Sequence, residues 1–243
     1  LMFSIASVCD PKEEILVFEP FYANYLGFAH LLSAKVIPVP LDAKTGFHLP
    51  GGKQIENKIT SKTRAILFTN PNNPTGTVFT KEEIQRLLNL ANKFNLFIIS
   101  DETYRGLCFD GKKSYSLLQI AKGGEVERII ICDSLSKRLN ICGARLGAII
   151  SKNKDIMAAV LRFSQARLSA SLIEQKIATP MLNNCVSYIS DLAKQYENRR
   201  NVFLSTLEKE LKTKIHRPEG AYYTMVKLPV KDTDDFAIWL LTD

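Results

Sequence analysis

The stretch AILFTNPNNPTGTVFTKEEIQRLLNLANKFNLFIISDETY (65–104) contains a complete strand, loop, helix and strand. It begins with the apolar run 65–68 and ends with a second one at 96–100. Between them, Thr80 and Glu83 have the spacing of a capping box, in which a hydroxyl and a carboxylate each satisfy a free backbone donor. Ile84, Leu87, Leu88 and Ala91 then recur on one face, as an amphipathic helix requires. Two strands joined by such a crossover lie parallel, and near-continuous apolar runs mark strands covered on both faces. Outward from this unit the same runs recur at 15–18 and 35–39 upstream and at 128–132 and 146–150 downstream. The chain is therefore expected to be α/β, with three layers and a mixed, mostly parallel sheet between helices.

Beyond residue 150 the strand rhythm stops. Residues 154–212 read mainly as helix, including the long polar run 187–212; a turn follows at Arg217-Pro218-Glu219-Gly220, and 221–228 reads as a strand. This pattern predicts a large domain over 1–196 and the start of a smaller α+β C-terminal domain over 197–243. The chain begins without Met and ends in mid-pattern at WLLTD, so a piece of a longer polypeptide is expected.

Of the 243 residues, 46% are hydrophobic and 23% charged, which excludes wholesale disorder, collagen and coiled coil. No run approaches the roughly 18 apolar residues that span a bilayer, and LMFSIASV lacks the basic start of a signal peptide. Five cysteines without a CxxC argue against disulfides or a zinc site, so a reducing cytoplasm and no metal are expected. The net charge of +7 reads as a solvated Lys-rich surface, because no block of five basic residues occurs. No nucleic-acid or membrane partner is expected. His30, His48 and His216 are isolated and read as structural or surface residues.

In open α/β sheets ligands bind at the carboxyl ends of the strands, so the residues after each strand matter most. They are TNPNNPTG (69–76), SDETY (100–104) and DSLSK (133–137), with GARLG (143–147) shortly beyond. A lone lysine such as Lys137 is usually a solvated surface group. To act as a nucleophile it must lose its proton, from an ordinary pKa of about 10.4, through desolvation or neighbouring positive charge. Arg145 offers a planar fork for phosphate, and Ser134 and Ser136 offer hydroxyls. Asp101 could simply cap a helix, with Tyr104 in the core; alternatively it could hold a protonated ring nitrogen, with Tyr104 and Asn73 donating to a ring oxygen. Singly, each residue has an ordinary structural explanation. Together, on consecutive strand ends, they favour a site.

NPNNPTG (70–76), SDETY (100–104) and SLSKRLNICGARLG (134–147) resemble the class I/II aminotransferases, pyridoxal-phosphate enzymes, in order and spacing. Asn73 precedes Asp101 by 28 residues, and Lys137 follows it by 36. The opening CDPKEEILVFEPFYANY (9–25) and PEGAYY (218–223) are similar to that family too. The resemblance implies the large-domain fold of these transferases and pyridoxal 5'-phosphate as cofactor, held through a Lys137 Schiff base. It implies that Lys137 also shuttles the α-proton, that Asp101 keeps the pyridine nitrogen protonated, and that Tyr104 and Asn73 tune the phenolate oxygen. Ser134, Ser136 and Arg145 would grip the phosphate, and Tyr22 would stack on the ring. The implied reaction moves an amino group from an L-amino acid to a 2-oxo acid; SKR…CGAR and FSQARLS (163–169) point to aspartate and 2-oxoglutarate. A homodimer is implied for the full-length protein.

Three parts of the family's site lie outside the chain: a phosphate loop before Leu1, a tyrosine from a partner subunit, and a carboxylate-binding arginine after Asp243. The isolated chain is therefore expected to be weak or inactive. Arg138 and Ala144 also replace the Thr and Trp of many relatives. Another pyridoxal-phosphate enzyme of the same fold, such as a carbon–sulfur lyase or decarboxylase, shares the Lys–Asp–Arg core, and a non-catalytic cofactor-binding module is the rival from another class. A nucleotide-binding protein is set aside, since neither GxxxxGK[ST] nor GxGxxG occurs.

Overall fold

The structure is a computed structural model and describes residues 1–212 and 214–242. After a short helix α1 (Met2–Ala6), the chain runs β1 (Glu14–Glu19), α2 (Asn24–Leu31), β2 (Lys35–Pro40), α3 (Gly52–Glu56) and β3 (Thr63–Thr69). It continues through α4 (Lys81–Phe94), β4 (Phe97–Asp101), α5 (Leu117–Ile120), β5 (Ile129–Ser134), α6 (Leu135–Arg138) and β6 (Gly147–Ile150). Helices α7 (Lys154–Arg167), α8 (Leu172–Asn183), α9 (Cys185–Leu211) and α10 (Thr233–Thr242) follow. The strands form one sheet in the order β2-β1-β3-β4-β5-β6. All neighbours pair in parallel except β5 and β6, which are antiparallel.

The period of two in each strand divides the core between the sheet's faces. Leu16, Phe18, Ile66, Phe68 and Ile98 point to one face, where α4 lays down Ile84, Leu87, Leu88 and Ala91. Ile15, Val17, Ala65, Leu67 and Ile99 point to the other, covered by Ile5 of α1, Tyr25 and Phe28 of α2, and Ile156 and Val160 of α7. The capping box forms as its spacing requires: the Thr80 hydroxyl accepts from the Glu83 amide at 3.2 Å, and the Glu83 carboxylate accepts from the Thr80 amide at 2.7 Å. Glu83 also accepts from the Leu49 amide at 2.7 Å and from His48 Nδ1 at 2.9 Å, so it joins α4 to the preceding loop. His48 is thus part of an ion-pair cluster that includes Glu219 and Lys112.

The stretch 221–228 does not form the expected strand. Its entry makes a single antiparallel bridge, Gly220 to Cys108, and Ala221 then turns with φ 56°. The apolar side chains there find an aromatic cluster rather than a sheet edge: Tyr222 and Tyr223 pack with Tyr104, Leu107, Leu192 and Ala193. Helix α9 runs unbroken through residue 197. The five cysteines are free thiols, with Cys9 and Cys132 buried. Among the described residues no helix is long and apolar enough to cross a membrane.

Candidate active site

Register brings the site together. Thr69, the last residue of β3, is paired with Asp101, the last of β4, and Asp101 with Cys132 of β5. Three consecutive strands therefore end side by side, and their loops rise from one rim. Beside them lies a cavity of about 790 Å³, within the range of small-molecule sites. Tyr22, Asn73, Asp101 and Tyr104 line it, and so do Ser134, Ser136, Lys137 and Arg145. All the site residues read from the sequence thus face one space.

The loop after β3 uses its asparagines differently. Asn70 Oδ1 accepts from the Phe79 amide at 2.9 Å, and Asn72 Oδ1 accepts from the amide and hydroxyl of Thr75 at 3.1 and 2.9 Å. These two shape the loop, while Asn73 lines the cavity. Gly76 (φ 72°) ends the loop, and its carbonyl accepts from the amides of Glu219 and Gly220 at 2.9 and 2.8 Å. The distant segment 218–223 is thereby stitched to the site.

Asp101 is buried at the cavity floor. Its Oδ1 accepts from the Thr103 amide at 3.1 Å and the Thr103 hydroxyl at 2.6 Å, and its Oδ2 accepts from the Tyr25 hydroxyl at 3.2 Å. Burial pushes the Asp101 carboxyl up, with the Thr103 and Tyr25 donors opposing it. Its hydrogen-bond partners are neutral donors rather than an arginine or lysine, which leaves the carboxylate able to pair with a cation from the cavity side. Tyr25 and Thr103 were missed in the sequence. Tyr25 stands three residues after Tyr22 in YANY, one helical turn away, and this spacing is the signal that could have found it. The Tyr22 ring meets Tyr25 edge-on at 5.6 Å, and the Tyr22 hydroxyl accepts from Asn24 Nδ2 at 2.7 Å.

On the β5 side, Ser134 caps α6. Its hydroxyl accepts from the Ser136 amide at 3.1 Å and faces the Leu146 carbonyl at 3.3 Å. Gly147 is required by close packing, since a Cβ there would sit 2.7 Å from the Asp133 carbonyl oxygen. Arg138, which departs from the family pattern, pairs with Asp133; Asp133 also lies 3.8 Å from Arg105, itself 3.2 Å from buried Glu102. Arg145 adopts a left-handed backbone (φ 53°) and donates from Nη1 to the Cys142 carbonyl at 2.9 Å, with its guanidinium exposed.

At Lys137, attraction to the Tyr222 phenol holds the ammonium pKa above the ordinary lysine value, with burial opposing and Cys142 and Tyr223 adding to the rise. Lys137 Nζ lies 5.8 Å from the Tyr222 ring centre and 3.9 Å from Cys142 Sγ. Tyr104 is kept a neutral phenol, chiefly by burial, and its hydroxyl is 2.8 Å from that of Tyr223.

The sequence profile of the family described as Aminotransferase class I and II matches residues 2–243. The chain is 30% identical to an aspartate aminotransferase of Thermotoga maritima over 94% of its own length and 58% of that protein. It is 29% identical to aromatic-amino-acid aminotransferase 2 of Thermococcus litoralis, over 96% of the chain and 59% of the relative. Among solved structures, N-succinyldiaminopimelate aminotransferase of Mycobacterium tuberculosis matches with a TM-score of 0.88 at 26% identity, covering 98% of this chain and 62% of that one. The chain thus spans about three fifths of the length of the relatives it matches.

Proposed function

The chain belongs to the class I and II aminotransferase family, and from that premise we propose that it carries the cofactor-binding half of a pyridoxal 5'-phosphate aminotransferase. One observation carries the reading: a carboxylate, a lysine, an arginine, two serines, an asparagine and two tyrosines from separate segments line one cavity at the strand ends. The donor set fits the cofactor. Buried Asp101 keeps acceptor capacity toward a cationic ring nitrogen, Arg145 and Ser136 suit a phosphate, and Lys137 offers a primary amine. When bound, pyridoxal phosphate supplies an aldehyde carbon for that amine and a ring that draws electrons from the substrate α-carbon.

The chain's own residues then divide the work. Asp101 holds a proton at the ring nitrogen, and Thr103 and Tyr25 fix its carboxylate. Tyr104 and Asn73 donate to the ring oxygen, and Tyr22 covers a ring face. Ser134, Ser136 and Arg145 bind the phosphate, with the backbone-engaged Ser134 hydroxyl accepting a smaller share. Lys137 binds the cofactor and moves the proton at the α-carbon. A lysine held protonated must first be deprotonated, so capture is expected to quicken with rising pH.

The amino donor we propose is aspartate and the acceptor 2-oxoglutarate. Arg167 lines the same cavity and is not engaged by the cofactor, so it offers a cation to a substrate carboxylate. We also propose a cytoplasmic homodimer for the whole protein, a large domain over 1–196 with a smaller one beginning at 197, and weak or no turnover by this chain alone.

The test is borohydride reduction of the chain with pyridoxal phosphate, followed by peptide mass mapping. A pyridoxyl group confined to the Lys137 peptide, and lost in a folded Lys137→Ala variant, is the expected result. Labels scattered over surface lysines, both in this chain and in a longer one carrying the family's remaining segments, would refute the assignment.

A further inference from the structure

Lys137 is flanked by a side chain that its own loop does not supply. Tyr222 arrives from the segment after Gly220, 85 residues along the chain (222 − 137), and its ring centre is 5.8 Å from Lys137 Nζ. A cation over an aromatic face is attracted by the ring quadrupole, and a phenol adds a polar edge. The ring is not free to wander. Tyr196 of α9 stacks on it at 5.2 Å and 28°, Tyr104 meets it edge-on at 5.4 Å, and Tyr223 lies tilted at 4.9 Å. The segment is anchored in turn by the Gly76 carbonyl and by the Ala221 amide donating to the Leu107 carbonyl at 2.9 Å. Cys142 Sγ lies 3.9 Å from the ammonium, and its thiol donates to the Ser136 carbonyl at 3.0 Å.

We propose that Tyr222 is a positioning residue for Lys137: its clamped ring holds the lysine's amine at the cavity wall, near Cys142, and so sets where the amine waits and how readily it gives up its proton. The importance of that amine rests on the functional reading above. A lysine has a flexible four-carbon stem and a compact charge, and without a tether its amine would sample many positions. The titratable groups facing it are Tyr222 and Tyr223 from the 218–224 segment and Cys142 from its own loop. Asp101, Asp133 and Arg145 line the same cavity. The Tyr222 tether works through Lys137 and needs no contact with substrate.

The experiment is trace acetylation with acetic anhydride across a pH series, with peptide mapping of each lysine's rate in the wild-type chain, Tyr222→Phe and Tyr222→Leu. Only the neutral amine reacts. Lys93 and Lys112, paired with Glu56 and Glu219, serve as internal references. Loss of an exposed cation–π contact is expected to raise the Lys137 rate near pH 8 by about two- to fivefold in Tyr222→Leu. Tyr222→Phe, which keeps the ring, is expected to fall between that variant and the wild type. Should the leucine variant lose the wild-type far-UV circular dichroism, the ring-free Tyr222→Met takes its place, and a curve superimposing on the wild type in the folded ring-free variant overturns the proposal. So does an equal rise at every lysine, which would report a loosened fold. No cofactor enters this assay: failed borohydride trapping beside a Lys137-specific acetylation shift would remove the cofactor reading and leave the tether standing.

Discussion

Replacing Gly76 by alanine tests how the distant segment is held against the site. Gly76 sits at φ 72°, and a Cβ built there would lie 2.3 Å from Pro218 Cβ and 2.9 Å from the Tyr223 carbonyl oxygen. Contacts that short cannot persist, so residues 218–223 must move away. Two costs follow. An L-residue in the left-handed region loses roughly 1–2 kcal/mol. Moving the segment weakens the two hydrogen bonds from Glu219 and Gly220 to the Gly76 carbonyl, each worth about 0.5–1.5 kcal/mol net. Together these amount to about 2–5 kcal/mol, a large part of the 5–15 kcal/mol by which domains are typically stable. Gly111 is the control. It has a similar φ of 70° with nothing within 4 Å of a built Cβ, so Gly111→Ala should show the strain alone. Urea unfolding followed by circular dichroism, extrapolated linearly to water, gives both values. Gly76→Ala is expected to cost at least about 1 kcal/mol more than Gly111→Ala. Equal losses in the two variants would refute the argument that packing against 218–223 fixes this glycine.

Stability should also depend on pH through the cluster that joins α4 to the 216–220 turn. Hydrogen bonding to Glu219 and Glu83 raises His48 to about 9, so its contribution is complete below the ordinary histidine value and is lost as pH rises through about 9. Burial raises the Glu219 carboxyl, but His48 and Lys112 overcome it and bring it down to about 2; that contribution is complete above the ordinary glutamate value and is lost as pH falls toward 2. Urea midpoints are therefore expected to decline between pH 6.5 and 9, and to decline less in His48→Gln; parallel declines would show that His48 is not the titrating group. Among the cysteines, Cys142 is exposed, Cys108 and Cys185 are half-buried, and Cys9 and Cys132 are buried. Limiting iodoacetamide with peptide mapping should find Cys142 alkylated first, and a faster Cys132 would contradict the packing of the second sheet face.

The sheet was legible because every strand is an apolar run with few polar residues; burial on both faces demands that in β1, β3, β4 and β5, while the edge strands β2 and β6 are largely exposed. The capping box at Thr80 marked the start of α4, since that signal lies within four residues. The residues facing the cavity were legible because they sit in short motifs directly after strands. Tyr25, Tyr222 and Tyr223 were not. Their roles arise from contacts across 76 to 119 residues; Tyr25 alone has a local cue, its spacing of three from Tyr22. The stretch 221–228 shows the same limit. Its apolar residues suit a strand, but a strand needs a partner edge, and here the tyrosines pack into an aromatic cluster instead. Lys137 shows it for charge, because the phenol that holds its proton comes from the far end of the chain.

Helix α9 has a mechanical consequence. Its 27 residues make a rod of about 40 Å. The rod is bolted near its middle: Leu192 and Ala193 pack into the cluster around Tyr104, and buried Arg200 pairs with Asp110 at 2.6 Å. That arrangement is a lever with a central fulcrum. A swing of about ten degrees would carry either tip some 3.5 Å while leaving the middle nearly still. Tyr196 sits beside the fulcrum, so the ring it supports next to Lys137 would stay in place while both arms of the rod move.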